Sequence, residues 1–175
     1  MSIRSPIPGA AAPSNSAQGV QAEIQRISAE LTALAQQLEQ LINAMEQLLV
    51  QEPKHPGQNA TPEQLRAYQV SLDRWRANVE RLQSQIDKTT AALEDLDKQL
   101  QALAQRLTAA QARDQAVQRA YIANLHKQVS DLSAELGATK RALGTRGAAN
   151  GGLRGLYSRL LPTVGRVKTS ARGLP

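Results

Sequence analysis

Residues 20–49 read VQAEIQRISAELTALAQQLEQLINAMEQLL, and this stretch decides the fold. Val20, Ile24, Ile27, Leu31, Leu34, Leu38, Leu41, Met45 and Leu48 follow one another in steps of 4 and 3 without a miss. Such spacing is a heptad seam on an α-helix. Ile24, Leu31, Leu38 and Met45 take its a positions, Val20, Ile27, Leu34, Leu41 and Leu48 its d positions, and Ile42 and Leu49 add apolar groups at e. A stripe widened in this way predicts more than two helices in contact.

Moving outward toward the C-terminus, QEPKHPGQNA at 51–60 holds two prolines and a glycine, which remove backbone donors and loosen the chain, so the first helix is expected to span 20–51. A new helix is announced at once. Thr61 suits the N-cap, Pro62 the first helical position, where no donor is needed, and Gln64 can close a capping box with Thr61. The seam then runs through Leu65, Tyr68, Leu72, Trp75, Val79, Leu82, Ile86, Thr89, Leu93, Leu96, Leu100, Leu103 and Leu107 to Ala110. Asp114 falls on an a position, and the spacing resumes one residue late at Ile122, Leu125, Val129, Leu132, Leu136, Thr139 and Leu143. No Gly or Pro occurs between Pro62 and Gly137, so the skip is expected to rotate the seam inside one continuous helix over 62–143.

At 1.5 Å per residue that helix is roughly 120 Å long, against about 50 Å for the first. The linker at 52–61 is too short to bring the helices parallel, which leaves an antiparallel hairpin or a collinear rod. Even a hairpin would cover the long helix only to about Leu96. Leu100, Leu103, Leu107, Val117, Ile122, Leu125, Val129, Leu132, Leu136 and Leu143 would then lack a partner from the same chain, on the order of 10 kcal/mol of unused burial. A homo-oligomer of three or more helices is therefore expected, with Ile24, Ile27, Leu31, Leu34, Leu38 and Leu41 in the same seam. The fold class is all-α: an elongated coiled coil or helical bundle made of a short helix, a turn and a very long helix, with flexible termini.

The two ends differ in charge. Residues 1–19 carry Pro6, Pro8 and Pro13 among Ala, Ser and Gly and read as a flexible arm. The chain has a formal charge of +6, yet residues 1–143 hold 15 basic and 15 acidic side chains. The whole excess lies in 144–175, as Arg146, Arg154, Arg159, Arg166, Lys168 and Arg172 with no acidic residue among them. Within this basic tail Leu153, Leu156, Tyr157, Leu160 and Leu161 fall at i, i+3, i+4, i+7 and i+8, so a short amphipathic helix is expected at 153–161, stopped by Pro162. Nine residues are marginal as a helix alone in water, which suggests ordering upon docking.

Composition narrows the chemistry. The 175 residues include 28 Ala, 23 Leu and 20 Gln but no Phe, no Cys and four aromatic residues, a long-helix composition. Thiolate catalysis, disulfides and Cys-based zinc sites are excluded. His55 and His126 stand apart, with no H-x-x-x-H or H-E-x-x-H spacing, and the acidic triplet Glu94, Asp95, Asp97 is spread around a helix beside Lys98. No nucleophile elbow or phosphate loop is present. The expectation is no enzyme, catalytic residue, cofactor, metal or small-molecule substrate. No stretch of the N-terminal segment resembles a signal peptide and none of the chain could span a bilayer, so a cytoplasmic protein, or one inside a particle assembled there, is expected.

These features suggest a structural role. In outline they are similar to assembly scaffolds and internal virion proteins, where a coiled-coil rod presents a short basic tail to a shell or a packaged genome. The leading expectation is an oligomeric scaffold component whose tail docks on a protein shell or acidic protein surface. Leu153, Leu156, Tyr157, Leu160 and Leu161 would be the anchors, and the six basic residues the electrostatic contacts. The alternatives are a nucleic-acid packaging factor with clustered basic tails and a helical-hairpin adaptor or export chaperone.

Overall fold

The structure, a computed structural model, describes residues 17–106, 112–146 and 155–172. These form four helices packed against one another: α1 (Ala17–Val50), α2 (Pro62–Arg106), α3 (Ala112–Arg146) and α4 (Leu161–Arg172), the last preceded by a 3-10 turn at Ser158–Leu160. There is no strand among the described residues, and the all-α class follows. The N-terminal arm expected at 1–19 lies outside the described residues, except for Ala17–Gly19, which open α1.

α2 begins as its sequence dictates. The Thr61 hydroxyl accepts the Gln64 N–H at 3.2 Å while the Gln64 side chain accepts the Thr61 N–H at 2.9 Å, a reciprocal capping box that satisfies two donors no helical carbonyl can reach. In the connection before it, Gly57 takes φ of +103°, a left-handed conformation that favours glycine, and its N–H donates to His55 Nδ1 at 3.0 Å. The His55 ring meets the edge of Tyr68 with centroids 5.1 Å apart.

α1 and α2 form an antiparallel hairpin. Trp75 Nε1–H donates to the Leu48 carbonyl at 2.7 Å near its turn, Arg26 reaches Gln99 at 2.8 Å farther along, and Arg106 pairs with Glu23 at 2.7 Å at the far end. α2 overhangs the end of α1, which leaves Leu65, at the start of the α2 seam, exposed.

The continuous helix expected over 62–143 is instead two helices running in opposite directions. α3 lies antiparallel along α2: His126 Nδ1 meets Asp97 at 2.6 Å, Ser133 donates to Glu94 at 2.7 Å and Lys140 reaches Asp87 at 2.9 Å. It therefore runs parallel to α1, where Tyr121 meets Ser28 at 2.8 Å and Gln118 reaches Gln21 at 3.0 Å. The physical reason is burial. A rod would leave the second half of its seam in water, whereas this arrangement places Leu100, Leu103, Ile122, Leu125, Val129, Leu132 and Leu136 at 4% exposure or less within a single chain. The seam residues are core residues, as their spacing requires, but the cover comes from the same polypeptide. The stated reason for expecting another chain is thereby removed. Leu107 falls outside the described residues.

α4 completes an up-down-up-down arrangement. It packs on α1 and α3 and runs antiparallel to both, with its start near Glu46 and its last turn near Tyr121 and Ser28. α1 thus has neighbours on several sides, and its deepest line shifts from the a and d positions toward a and e. Ile24, Ser28, Leu31, Ala35, Leu38, Ile42, Met45 and Leu49 are buried, while Leu34, Leu41 and Leu48 are half-buried on its flank. Thr89, a polar d position of α2, is buried without loss because its hydroxyl donates to the Gln85 carbonyl at 3.0 Å.

The C-terminal helix is not where the leucine spacing places it. Pro162 starts α4 instead of stopping a helix at 153–161, because proline at the second residue of a helix gives up no bonded N–H and its φ is already helical. Leu153 and Arg154 lie outside the described residues, as does the Arg146 side chain.

Candidate functional site

The features expected to meet a partner meet the molecule itself. Leu156, Tyr157 and Leu160 are buried at 4% exposure or less, Leu161 is partly buried against the core, and Val164, Val167 and Ala171 continue the same face along α4. The docking anchors thus fill the channel between α1 and α3, and the reading of them as contacts for an outside groove is corrected: their apolar area is already covered.

Polar contacts hold both ends of the segment. At the entrance the Glu46 carboxylate of α1 accepts the backbone N–H of Gly155 and, at 3.3 Å, that of Tyr157. Gly155 has φ of +78°, which turns its N–H toward that carboxylate where a side chain would be strained. The Tyr157 hydroxyl donates to the Gln83 side chain of α2. At the exit, Tyr121 of α3 donates its hydroxyl to the Ala171 carbonyl at 2.9 Å and meets Ser28 Oγ of α1 at 2.8 Å. A carbonyl in the last turn of α4, which has no helical partner, is therefore satisfied by a side chain from another helix.

The rims carry charge. Lys168 reaches Glu39 of α1 at 3.3 Å, with both side chains less than one-third exposed. On the α3 side, Arg166 donates to Thr163 Oγ1 at 3.0 Å and shares a cleft of about 270 Å³ with Gln128, Asp131 and Glu135. Glu39 and Glu46 from α1, with Asp131 and Glu135 from α3, thus surround a basic segment. Of the six basic residues singled out by charge, Arg159, Arg166 and Arg172 lie at exposed positions and Lys168 is half-buried.

Burial sets the chemistry of two phenols. Tyr121 is pushed above the ordinary tyrosine value of 10.0 by its removal from water, with the Ser28 hydrogen bond opposing. Tyr157 is pushed up further, first by burial and then by the negative charge of Asp87. A raised phenol stabilises the fold only while both folded and unfolded states keep the proton. Above pH 10.0, the ordinary value, the unfolded chain releases it and the folded chain does not. The urea midpoint is therefore expected to fall steadily as pH rises past about 10, and the phenolate absorbance of these two residues to appear only with unfolding. Ordinary phenolate titration of Tyr121 and Tyr157 in the folded protein would contradict this burial.

A second polar face lies between α2 and α3, where an open groove of about 650 Å³ is lined by Glu94, Asp97, Lys98, Gln101, Ser130, Ser133 and Arg141 among others. The His126–Asp97 contact borders it, and Ser133 is committed to Glu94. These side chains tie two helices together. Among the described residues no group of three or more His, Cys, Asp or Glu is placed to hold a metal ion, and no helix is long and apolar enough to cross a membrane.

Sequence reasoning found the anchors and the arginines but missed their receivers, Glu39, Glu46, Ser28 and Tyr121. Ser28 left one trace, a polar e position inside an otherwise apolar stripe. Glu39 and Glu46 left a faint one, since residues 17–50 hold four glutamates against a single arginine. The chain matches no protein-family model, no curated protein and no solved structure.

Proposed function

We propose that the protein is a non-enzymatic helical-bundle adaptor, a structural component of a larger assembly, that meets an acidic protein surface through the exposed arginines of residues 155–172. The supporting observation is that Arg159, Arg166 and Arg172 are all exposed, within one short segment whose apolar face is buried and which holds no acidic residue. Arginine suits this task, because its planar fork stays charged and pairs with carboxylates in two-point geometry. Self-coverage of the long seam favours the adaptor over the oligomeric rod, since Leu100, Leu103, Ile122, Leu125, Val129, Leu132 and Leu136 are buried within one chain.

The test is binding of poly-glutamate, an acidic polypeptide probe, to the full chain and to a triple variant, Arg159→Glu, Arg166→Glu and Arg172→Glu. Binding at low salt is expected to weaken on the order of tenfold or more in the variant, with the helical circular-dichroism signal kept, and to fade as salt screens the contacts. Equal binding by both proteins would overturn the reading. Binding of short duplex DNA but not of poly-glutamate would overturn it too, in favour of nucleic-acid packaging.

A further inference from the structure

The buried side of α4 supports a different inference from its outer face. As a helix, residues 161–172 are weak: Thr163, Val164, Gly165, Val167 and Thr169 are all poor helix formers, and twelve residues are marginal in water whatever their composition. The helical form of this segment therefore comes from the channel that holds it.

Several of the contacts that hold it address the backbone. Glu46 takes the N–H groups of Gly155 and Tyr157, and Tyr121 donates to the carbonyl of Ala171. Another segment that opens with a glycine turn and continues as a helix of similar length would present the same groups at the same places. What the channel requires of side chains is simple. It needs an apolar face spaced like Leu160, Val164, Val167 and Ala171, and cations at the rims, where Glu39 already pairs with Lys168 and where Asp131 and Glu135 border the cleft beside Arg166.

We propose that the channel between α1 and α3 is a receptor for a basic amphipathic helix, and that residues 155–172 are its tethered, exchangeable occupant. The occupant from outside is a partner helix of the same chemistry: about three turns, apolar on one face and lysine- or arginine-bearing on its flanks. Covalent attachment gives the chain's own segment an effective concentration of about millimolar at the channel, so a partner must bind more tightly than this weak helix to displace it. The inference rests on the buried face and its acidic rims, and of the three exposed arginines only Arg166 enters it.

Two measurements on the full chain test it. The first is amide exchange of the unaltered protein. The amides of 155–172 are expected to exchange on the order of 100-fold faster than the core of α1, because the segment opens without the bundle unfolding. Exchange of both at one common rate overturns the proposal.

The second uses a fluorescein-labelled peptide of residues 155–172 and the full-length variant Leu160→Asp with Val164→Asp, which disables the chain's own segment and leaves the channel intact. The variant is expected to bind the peptide roughly tenfold or more tighter than the unaltered chain. The gain should vanish when Glu39→Lys and Glu46→Lys are added, or when the peptide's basic residues are replaced by glutamate. A variant that stays helical and fails to bind the peptide overturns the proposal. So does equal binding of the basic and acidic peptides. Should the variant lose its helical signal, the exchange measurement decides.

Discussion

Replacing Leu125 and Leu132 together by glutamate unfolds the protein as a monomer, with loss of the cooperative thermal transition. Both side chains are fully buried in α3. Removing a core leucine costs about 2–5 kcal/mol, and a carboxylate left in its place adds the penalty of an unpaired buried charge. Two such changes approach the roughly 5–15 kcal/mol that holds an ordinary domain together. The readout is circular dichroism with temperature, alongside light scattering. If these leucines served an interface between copies, the pair of glutamates would release folded single chains and keep most of the helical signal. That outcome would restore the extended rod. Val117→Glu supplies the control on the same helix, because Val117 is 59% exposed and a change there is expected within about 0.5 kcal/mol of neutral.

This contrast shows what local spacing can and cannot convey. The positions Ile24, Leu31, Leu38, Leu93, Leu96, Leu100, Ile122, Leu125 and Leu132 are readable as core residues, because burial on a helix imposes a period of 3.5 to 3.6 whichever chain does the covering. The source of the cover is not a local property. α2 and α3 reverse direction across 107–111, LTAAQ, which contains neither glycine nor proline, so the usual punctuation is missing. The one available signal was the register skip near Asp114. Inside a single helix such a skip is a small rotation, and between two helices it is the place where one seam ends and another begins. The two readings differ in tertiary energy, which the spacing does not contain.

Pro162 carries a similar ambiguity. Proline stops a helix when read from the N-terminal side and starts one when read from the C-terminal side. The steps from Leu160 through Val164 and Val167 to Ala171 favour the second sense, yet Val and Ala in a basic segment are a fainter pattern than the leucines before them. The tail's charge stands out because no acidic residue opposes it nearby, whereas its counter-charge, four glutamates against one arginine in residues 17–50, is diluted by the rest of the chain. Glu39 and Glu46 lie more than a hundred residues away in sequence, in a segment of the chain whose charges sum to zero.

Deletion of residues 155–175 is expected to leave α1, α2 and α3 folded and to turn a chain expected to sediment singly into a self-associating one. The argument starts from the channel. Without the C-terminal segment, the apolar strip that receives Leu156, Tyr157, Leu160, Val164 and Val167 faces water, and Tyr121, Ser28 and Glu46 lose partners on its border. A contiguous apolar patch of more than a few hundred Å2 is rare on a monomer and promotes association. The three long helices keep the hairpin contacts at Trp75 and Arg106 and the α2–α3 ties at Asp97, Glu94 and Asp87, so their fold does not depend on the tail. A net loss on the order of 3 kcal/mol would lower Tm by roughly 6–12 °C in a domain of this size. Sedimentation of the full chain and the truncated chain at matched micromolar concentration checks the first effect, and a thermal melt the second. A solubilising tail with no docking role would give the opposite pattern, with an unchanged melting temperature and single chains in both samples. The acidic rim left behind, Glu39, Glu46, Asp131 and Glu135, makes the association sensitive to charge. Copies that bury the apolar strip against each other also bring like charges together, so the assemblies should be stronger in high salt than in low. Association through complementary surface charges would weaken instead, and the direction of that salt response separates the two origins.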